Sequence, residues 1–252
     1  MNEHDKSGEK EETFISHLVE LRDRLVKASI ALLVVTLCLA PWASEIYDVL
    51  AQPMMAALPE GSKMIATGVI TPFLTPLKVT LLAAFVIAMP WILYQFWAFV
   101  APGLYTHERK LVLPLVISSS LLFLVGIAFC YFFVFRTVFH FIHQFAPASI
   151  AVAPDIDAYF GFVMTMFIAF GLTFEVPIVV IVLVRMGLVT VEKLKEIRPY
   201  VIVGAFIVAA IVTPPDVISQ LLLAIPLTLL YQVGIWIAPA FVRATRAPEE
   251  VA

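Results

Sequence analysis

Charged residues are scarce in this 252-residue chain: Asp, Glu, Lys and Arg make up 14% of it, against 62% hydrophobic residues. A soluble domain is about a quarter charged and about half apolar. The scarcity of charge, together with a mean hydropathy of +0.98, disfavours a soluble enzyme, a nucleic-acid-binding protein and a secreted folded domain. The net charge of −3 adds little, because membrane proteins depend on the placement of charge more than on its sum. The sequence predicts an integral membrane protein.

Cysteine and catalytic motifs are also lacking. Cys38 and Cys130 lie in long apolar runs, without disulfide or metal-ligand spacing, and are predicted to be packing residues. The chain has no G-x-x-x-x-G-K-[ST] loop, no H-E-x-x-H and no G-x-S-x-G, so ATP hydrolysis and the common hydrolytic mechanisms lack their parts. His140 and His143 could share a ligand, but without a third ligand nearby they are simpler to interpret as interfacial histidines. No enzyme activity, cofactor or metal is expected.

Long apolar runs are what the sequence has instead. A spanning helix needs about 20 mostly apolar residues, and four runs meet this length. The apolar run from Tyr200 to Pro239 is too long for one helix and is broken at 213–216, where two prolines lack the N–H that continues a helix. We therefore predict an all-α integral membrane fold of six transmembrane helices in a cupped, concave bundle, with short helices five and six forming a hairpin. The predicted spans are 26–44, 75–99, 114–139, 158–185, 200–213 and 217–238.

Lysine and arginine are concentrated on one side of these spans. Thirteen of the sixteen lie in the N-terminal segment, the 100–113 loop, the 185–199 segment or the C-terminal tail, whereas the opposite side carries only Lys63. By the positive-inside rule both termini are predicted to be cytoplasmic. No cleavable signal pattern opens the chain.

The segments outside the spans differ in character. Residues 1–12 are polar and charge-rich, which predicts a disordered cytoplasmic tail. Residues 13–25 place apolar side chains at helical spacing, which predicts an amphipathic helix leading into a single membrane domain over 13–239. The outer loop at 45–74 is too apolar to be free in solvent and is expected to lie as a cap on the outer surface. Residues 240–252 are predicted to be a second cytoplasmic tail.

Glu175 is the one acidic residue deep inside a predicted span. A charge near the centre of a bilayer costs about 2.5–3.5 kcal/mol on insertion scales. Two interpretations stay open: a polar or proton-sensitive recess facing the bundle interior, or a protonated carboxyl bonded to a neighbouring group, with Pro177 freeing the carbonyl of Thr173 as an acceptor.

Two further carboxylates lie at the predicted cytoplasmic surface. Glu20 could simply pair with Arg24 four residues later on a helix. Glu108 could simply occupy the first turn of the helix that follows Pro102 and Gly103. Together, however, two carboxylates at a membrane surface would be good acceptors for guanidinium groups, which bind carboxylates bidentately.

Several stretches of the chain resemble the TatC family, the large polytopic subunit of the bacterial twin-arginine protein translocase. The resemblance covers roughly residues 14–238, and the stretches occur in the same order on the predicted six-span topology. They are His17-Leu18-Val19-Glu20-Leu21-Arg22, the segment from Gln95 to Tyr105 with Glu108-Arg109-Lys110, Phe170-Gly171-Leu172-Thr173-Phe174-Glu175-Val176-Pro177, and Thr213-Pro214-Pro215-Asp216 followed by Ser219-Gln220 and Leu223-Ala224-Ile225-Pro226.

The resemblance implies a receptor for folded cargo that carries a paired-arginine signal. Glu20 and Glu108 match the acidic positions that read this signal, with Arg22 in the same stretch and Phe99 close by. Export would be driven by the proton-motive force across the bacterial inner membrane. The resemblance implies no role for nucleic acid.

Other positions match the outer face and the partner-binding wall of the family. Pro53 would fix a turn in the outer cap, Asp216 lies in the outer turn between helices five and six, and Glu175 faces the concave side of the bundle. The small single-span partners TatA and TatB would dock on the wall of helices five and six, in a complex with several copies embedded in membrane lipid. The residues assigned to this docking are Val208, Val212, Thr213 and Gln220.

Two departures and one competing function remain. Gln232 stands where many relatives are expected to have an acidic residue, and Arg136 where they often have proline. The alternative function is a proton-coupled small-molecule transporter that uses Glu175. The lack of two matched halves in the sequence counts against it. An intramembrane enzyme ranks lower still, because no catalytic pair is visible in the spans.

Overall fold

The computed structural model describes residues 3–58, 63–100, 112–145, 153–214 and 216–243. Within these ranges the chain forms nine α-helices, and the only β pairing is an isolated bridge between Ile65 and Asp155. A 3₁₀ turn at Ala40–Trp42 joins the first two helices, and a π turn at Cys130–Val134 joins the fourth to the fifth. The helices are α1 Glu3–Leu39, α2 Ala43–Met55, α3 Thr71–Val100, α4 Val112–Phe129, α5 Phe135–Phe145, α6 Ile156–Arg185, α7 Val191–Glu196, α8 Arg198–Val212 and α9 Val217–Arg243. The predicted all-α class is confirmed.

The membrane-spanning helices follow the predicted apolar runs. Among the residues that the structure describes, five helical segments are long and apolar enough to cross a bilayer, and α8 is apolar but has only 15 residues. At about 1.5 Å per residue, α8 extends for about 22 Å, which is less than the roughly 30 Å of a hydrocarbon core. α8 packs along α9 as the predicted hairpin, but only α8 is short, because α9 has 27 residues. The chain is a multi-pass membrane protein with the predicted short fifth span.

Helix α1 begins earlier than expected. Residues 3–12, for which composition predicts a disordered tail, form its first turns, so the amphipathic segment and the first span are parts of one continuous helix. Extending an existing helix is easier than nucleating a new one, and the Glu and Lys residues of this segment are good helix formers. At the other end, α9 continues to Arg243, past the predicted boundary at 239. The remainder of the C-terminal tail and residues 101–111 lie outside the described residues.

Helix α6 lies at the centre of the bundle. The spanning helices pack in the order α1, α3, α4, α6, α9, α8, each in contact with the next. Glycines allow close approaches between α4 and α6: Gly171 of α6 lies against the ring of Phe123, and Gly126 of α4 lies against the carbonyl of Phe170. Small residues are the common means by which membrane helices approach closely. An apolar recess of about 510 Å³ remains between α2, α3, α4 and α6.

Helix α2 covers the end of the bundle opposite the start of α1, as expected of a cap. Leu50 and Met54 pack against the aromatic core of α5 and α6, and the Tyr159 hydroxyl donates to the carbonyl of Leu50 at 2.7 Å. The extended segment that follows lies beside the start of α6, where Ile65 N–H donates to the carbonyl of Pro154 at 3.0 Å. Pro53 lies inside α2, two residues before its end, and does not fix a turn as expected. Its contribution is the missing N–H, which leaves the carbonyl four residues earlier free.

Candidate functional site

Glu20 lies on α1 with a guanidinium already bound to one of its oxygens. Arg24 Nε and Nη2 both donate to Glu20 Oε1, at 2.9 and 2.6 Å. The two residues are four apart on the helix, so their side chains lie on the same face. Both are partly covered, with side-chain exposures of 23% for Arg24 and 35% for Glu20. The pairing with Arg24 is therefore formed, and the second oxygen, Oε2, is left for another donor.

His17 connects Glu20 to α3. Its ring stacks on Phe99, with centroids 4.4 Å apart and an interplanar angle of 22°. Its Nδ1 lies 3.9 Å from Glu20 Oε2, which is too long for a hydrogen bond. Because Phe99 is the second-last residue of α3, this stack holds the start of the first span against the end of the second. The structure thus brings two of the predicted signal-site residues, Glu20 and Phe99, to one place.

The other two predicted signal-site residues behave differently. Arg22 points away from Glu20 and pairs with its neighbour Asp23, with Nη2 at 2.8 Å from Oδ1 and a side-chain exposure of 69%. Glu108 lies outside the described residues. Its proximity to Glu20 stays a prediction.

Glu175 is buried on α6, with 7% of its surface exposed. Neither carboxylate oxygen has a hydrogen-bond partner of good geometry among the described residues, so the bond to the Thr173 carbonyl that Pro177 makes possible is not formed. The hydroxyl of Ser119, on α4, is its polar neighbour. Ser119 itself accepts a hydrogen bond of 2.9 Å from Trp97 Nε1 on α3. Three helices therefore meet at one buried polar cluster, composed of Trp97, Ser119 and Glu175.

Asp216 lies in the turn between α8 and α9, as expected. Its Oδ1 accepts a hydrogen bond of 2.6 Å from the N–H of Ser219, which is the geometry of a helix N-cap. Capping the start of α9 is therefore sufficient to explain why an acidic residue occupies this position.

The four residues assigned to partner docking differ in exposure and in their contacts. Val208 is exposed on α8, whereas Thr213 is buried and its hydroxyl donates to the carbonyl of Ala209. Gln220 Nε2 donates to the carbonyl of Phe206 at 3.3 Å, which ties α9 to α8. Val208 and Val212 line a recess of about 370 Å³ formed by α6, α8 and α9. Val208 is thus the most exposed of the four residues.

Comparison with known proteins assigns the family. The sequence model of a family described as Sec-independent protein translocase protein (TatC) matches residues 16–226. The chain belongs to the TatC family. It is similar to the Sec-independent protein translocase protein TatC of Escherichia coli strain K12, with 48% identity over 97% of this chain and 95% of that protein. It is also similar to the protein of that name from Haemophilus influenzae, with 46% identity over 91% of this chain and 90% of the relative.

The solved structures agree with this TatC assignment. A crystal structure described as the twin arginine translocase receptor TatC matches with a TM-score of 0.79 and 39% identity, over 90% of this chain and all of that one. A second, determined in the detergent DDM, matches with a TM-score of 0.80. The predicted family and its function in translocation are confirmed, and the small-molecule transporter receives no support.

Sequence reasoning missed the partners of the site residues. His17 and Trp97 fall within stretches that resemble the family but had no predicted role, and Ser119 was not singled out. One signal was available for Trp97, because an indole N–H inside an apolar span needs an acceptor. The serines at 118–120 of the next span are the polar residues that could supply it.

Proposed function

We propose that this chain is the signal-receptor subunit of a twin-arginine protein translocase in the bacterial cytoplasmic membrane. It binds the paired arginines of folded precursors at Glu20, with Glu108 as a second acceptor. It acts as a receptor and scaffold rather than as an enzyme. Both termini are cytoplasmic, so that Glu20 and Phe99 lie on the side from which precursors arrive.

One observation carries this proposal: the partly covered carboxylate of Glu20, near one end of the bundle, is bound by a guanidinium of its own helix and still has an open oxygen. Arginine matches carboxylates with a planar fork of donors that lysine lacks. Glu20 therefore has the chemistry that a paired-arginine ligand requires. The similarity to a crystal structure of a twin arginine translocase receptor supports the same function.

The partners of the proposed receptor are small single-span membrane proteins, TatA and TatB, and the working complex holds several copies. They dock on the apolar α8–α9 hairpin, in which α8 is short for a bilayer and exposes Val208. The energy for export comes from the proton-motive force.

Photocrosslinking in membranes tests the receptor function. In one variant a photoreactive residue replaces Leu21, which is exposed beside Glu20, and in a second variant it replaces Leu37, far along the same helix. We expect the probe at position 21 to capture a peptide with paired arginines and not one with paired lysines, while the probe at position 37 shows no such preference.

Substitutions identify the carboxylate. Glu20→Gln should weaken peptide binding about tenfold to a hundredfold, since hydrogen bonds to charged groups are worth about 1.5–3 kcal/mol each. Glu196→Gln is the matched control, because Glu196 is an exposed glutamate that pairs with Lys193 on α7. If Glu20→Gln leaves crosslinking and export of a paired-arginine reporter intact, Glu20 is not the signal site.

A further inference from the structure

His17 presents an aromatic face beside the open oxygen of Glu20. One face of its ring is covered by Phe99, while half of the side chain remains exposed. Arg24 donates from Nε and Nη2 to the other oxygen, Oε1, and so leaves Glu20 Oε2 open to a second guanidinium. An open carboxylate oxygen and the exposed part of a stacked ring therefore lie 3.9 Å apart, measured from Oε2 to Nδ1.

This pair has the chemistry of a guanidinium site. A guanidinium is planar and weakly hydrated and stacks on aromatic rings while it donates from its edge to a carboxylate. An ammonium group is compact and strongly hydrated, so it gains from the carboxylate but little from the stack. A stacking surface beside the carboxylate therefore favours arginine over lysine, whereas the carboxylate alone binds both.

We propose that His17 is a specificity-determining residue: its ring, backed by Phe99, stacks on a signal arginine that donates to Glu20 Oε2. This inference rests on the proposed function, since it requires the paired-arginine peptide to bind at Glu20. Arg24 has a supporting role, because it holds Oε1 and so leaves Oε2 as the oxygen open to the ligand. Phe99 acts by keeping the imidazole in place rather than by charge.

The ratio of two dissociation constants tests the proposal. Two synthetic signal peptides, identical except for paired arginines or paired lysines, are titrated onto the full chain in lipid nanodiscs, and binding is followed by fluorescence anisotropy. His17→Ala should lower the preference for arginine over lysine about two- to fivefold, the range expected for a stacked cation at an exposed site. His17→Phe should retain the preference, because it keeps the ring that stacks.

A matched control is Tyr200→Ala, which removes an exposed aromatic residue near the start of α8 and should leave the ratio unchanged. An unchanged ratio in His17→Ala, or an equal loss in His17→Ala and His17→Phe, overturns the proposal. Complete loss of binding in both variants also overturns it, because a stack accounts for only a few-fold effect.

The Glu20→Gln variant separates this inference from the proposed function. If Glu20→Gln binds both peptides as tightly as the unaltered chain does, the receptor site itself is wrong. If Glu20→Gln weakens binding but His17→Ala keeps the ratio, only the stacking proposal fails.

Discussion

The hydroxyl of Tyr131 donates a hydrogen bond of 2.8 Å to the carbonyl of Val49. The two residues are 82 positions apart, on the π turn after α4 and on the cap helix α2. The carbonyl of Val49 can accept this bond because it has no donor within its own helix. The residue that would donate to it in a regular helix is Pro53, which has no N–H. The proline in α2 therefore creates the acceptor that fastens the cap to the bundle.

Tyr131→Phe should lower the free energy of unfolding by about 1 kcal/mol, because the Val49 carbonyl loses its donor. In a Pro53→Ala background the loss should be smaller, since residue 53 can then bond to Val49. Thermal unfolding in detergent measures both, with Tyr200→Phe as the control on an exposed tyrosine. Equal losses in the two backgrounds would contradict this role of Pro53.

Gly171→Ala should destabilise the bundle by about 1–3 kcal/mol, the usual cost of overpacking. A Cβ at this position meets the ring of Phe123, which is fully buried. Gly161→Ala on the same helix is the control, because the Cβ that alanine adds there has nothing within 4 Å. That change should be neutral or stabilising, as alanine favours helix. The two unfolding midpoints, compared in one detergent, decide the prediction.

Trp97→Phe should destabilise the chain by about 1–3 kcal/mol, because Ser119 loses a donor in a fully buried position. Trp91→Phe is the control, since Trp91 lies on the same helix with 47% of its surface exposed. Equal shifts of the thermal midpoint in the two variants would show that the bond between Trp97 and Ser119 adds no stability.

The loop contact at Asp155 should be sensitive to acid. The N–H of Ala158, then the hydroxyl and N–H of Thr67, hold the pKa of Asp155 below its usual range. Because the folded pKa is lowered, the contribution of these bonds is complete above the ordinary aspartate pKa of about 3.9 and is lost as pH falls through the lowered value.

Asp155→Asn should remove this pH dependence. The difference in thermal midpoint between the unaltered chain and Asp155→Asn is expected to be constant near neutral pH and to shrink in acid. Asp48→Asn, on α2, is the comparison variant. A difference that grows towards low pH would contradict the assignment.

Val208→Trp should reduce co-purification of the single-span partner, because a bulky ring would disturb the exposed side of α8 where docking is proposed. Ile202→Trp is the control, six residues away on the same helix and also exposed. Unchanged recovery of the partner with Val208→Trp would move the docking surface elsewhere. Loss with both variants would indicate damage to α8 as a whole.

The spans could be predicted from sequence because a bilayer imposes a length and a polarity on each segment separately. The break between the fifth and sixth spans at 213–216 could be predicted for a similar reason, since a proline interrupts a helix at its own position in the chain. The tail at 3–12 was predicted as disordered from its composition, yet it continues α1, because helix propagation depends on the neighbouring turn.

The candidate site was predicted only in part. The residues alone suggested the pairing of Glu20 with Arg24, which is local to one helix, and carboxylates that could accept guanidinium groups. The placing of Glu20 and Phe99 in one signal site followed from the resemblance to a family. The stack of His17 on Phe99 joins α1 to α3, and no periodicity within either helix indicates it.

The sequence by itself thus determined which apolar segments form membrane helices and predicted their orientation, because burial in lipid is set by local composition and the orientation by the charge of the loops. Only the tertiary structure decided which polar groups meet: His17 with Phe99, Trp97 with Ser119, and Tyr131 with Val49. These contacts depend on how each helix is rotated and tilted against its neighbour. That geometry is set by the packing of the whole bundle, including the close approaches at Gly126 and Gly171.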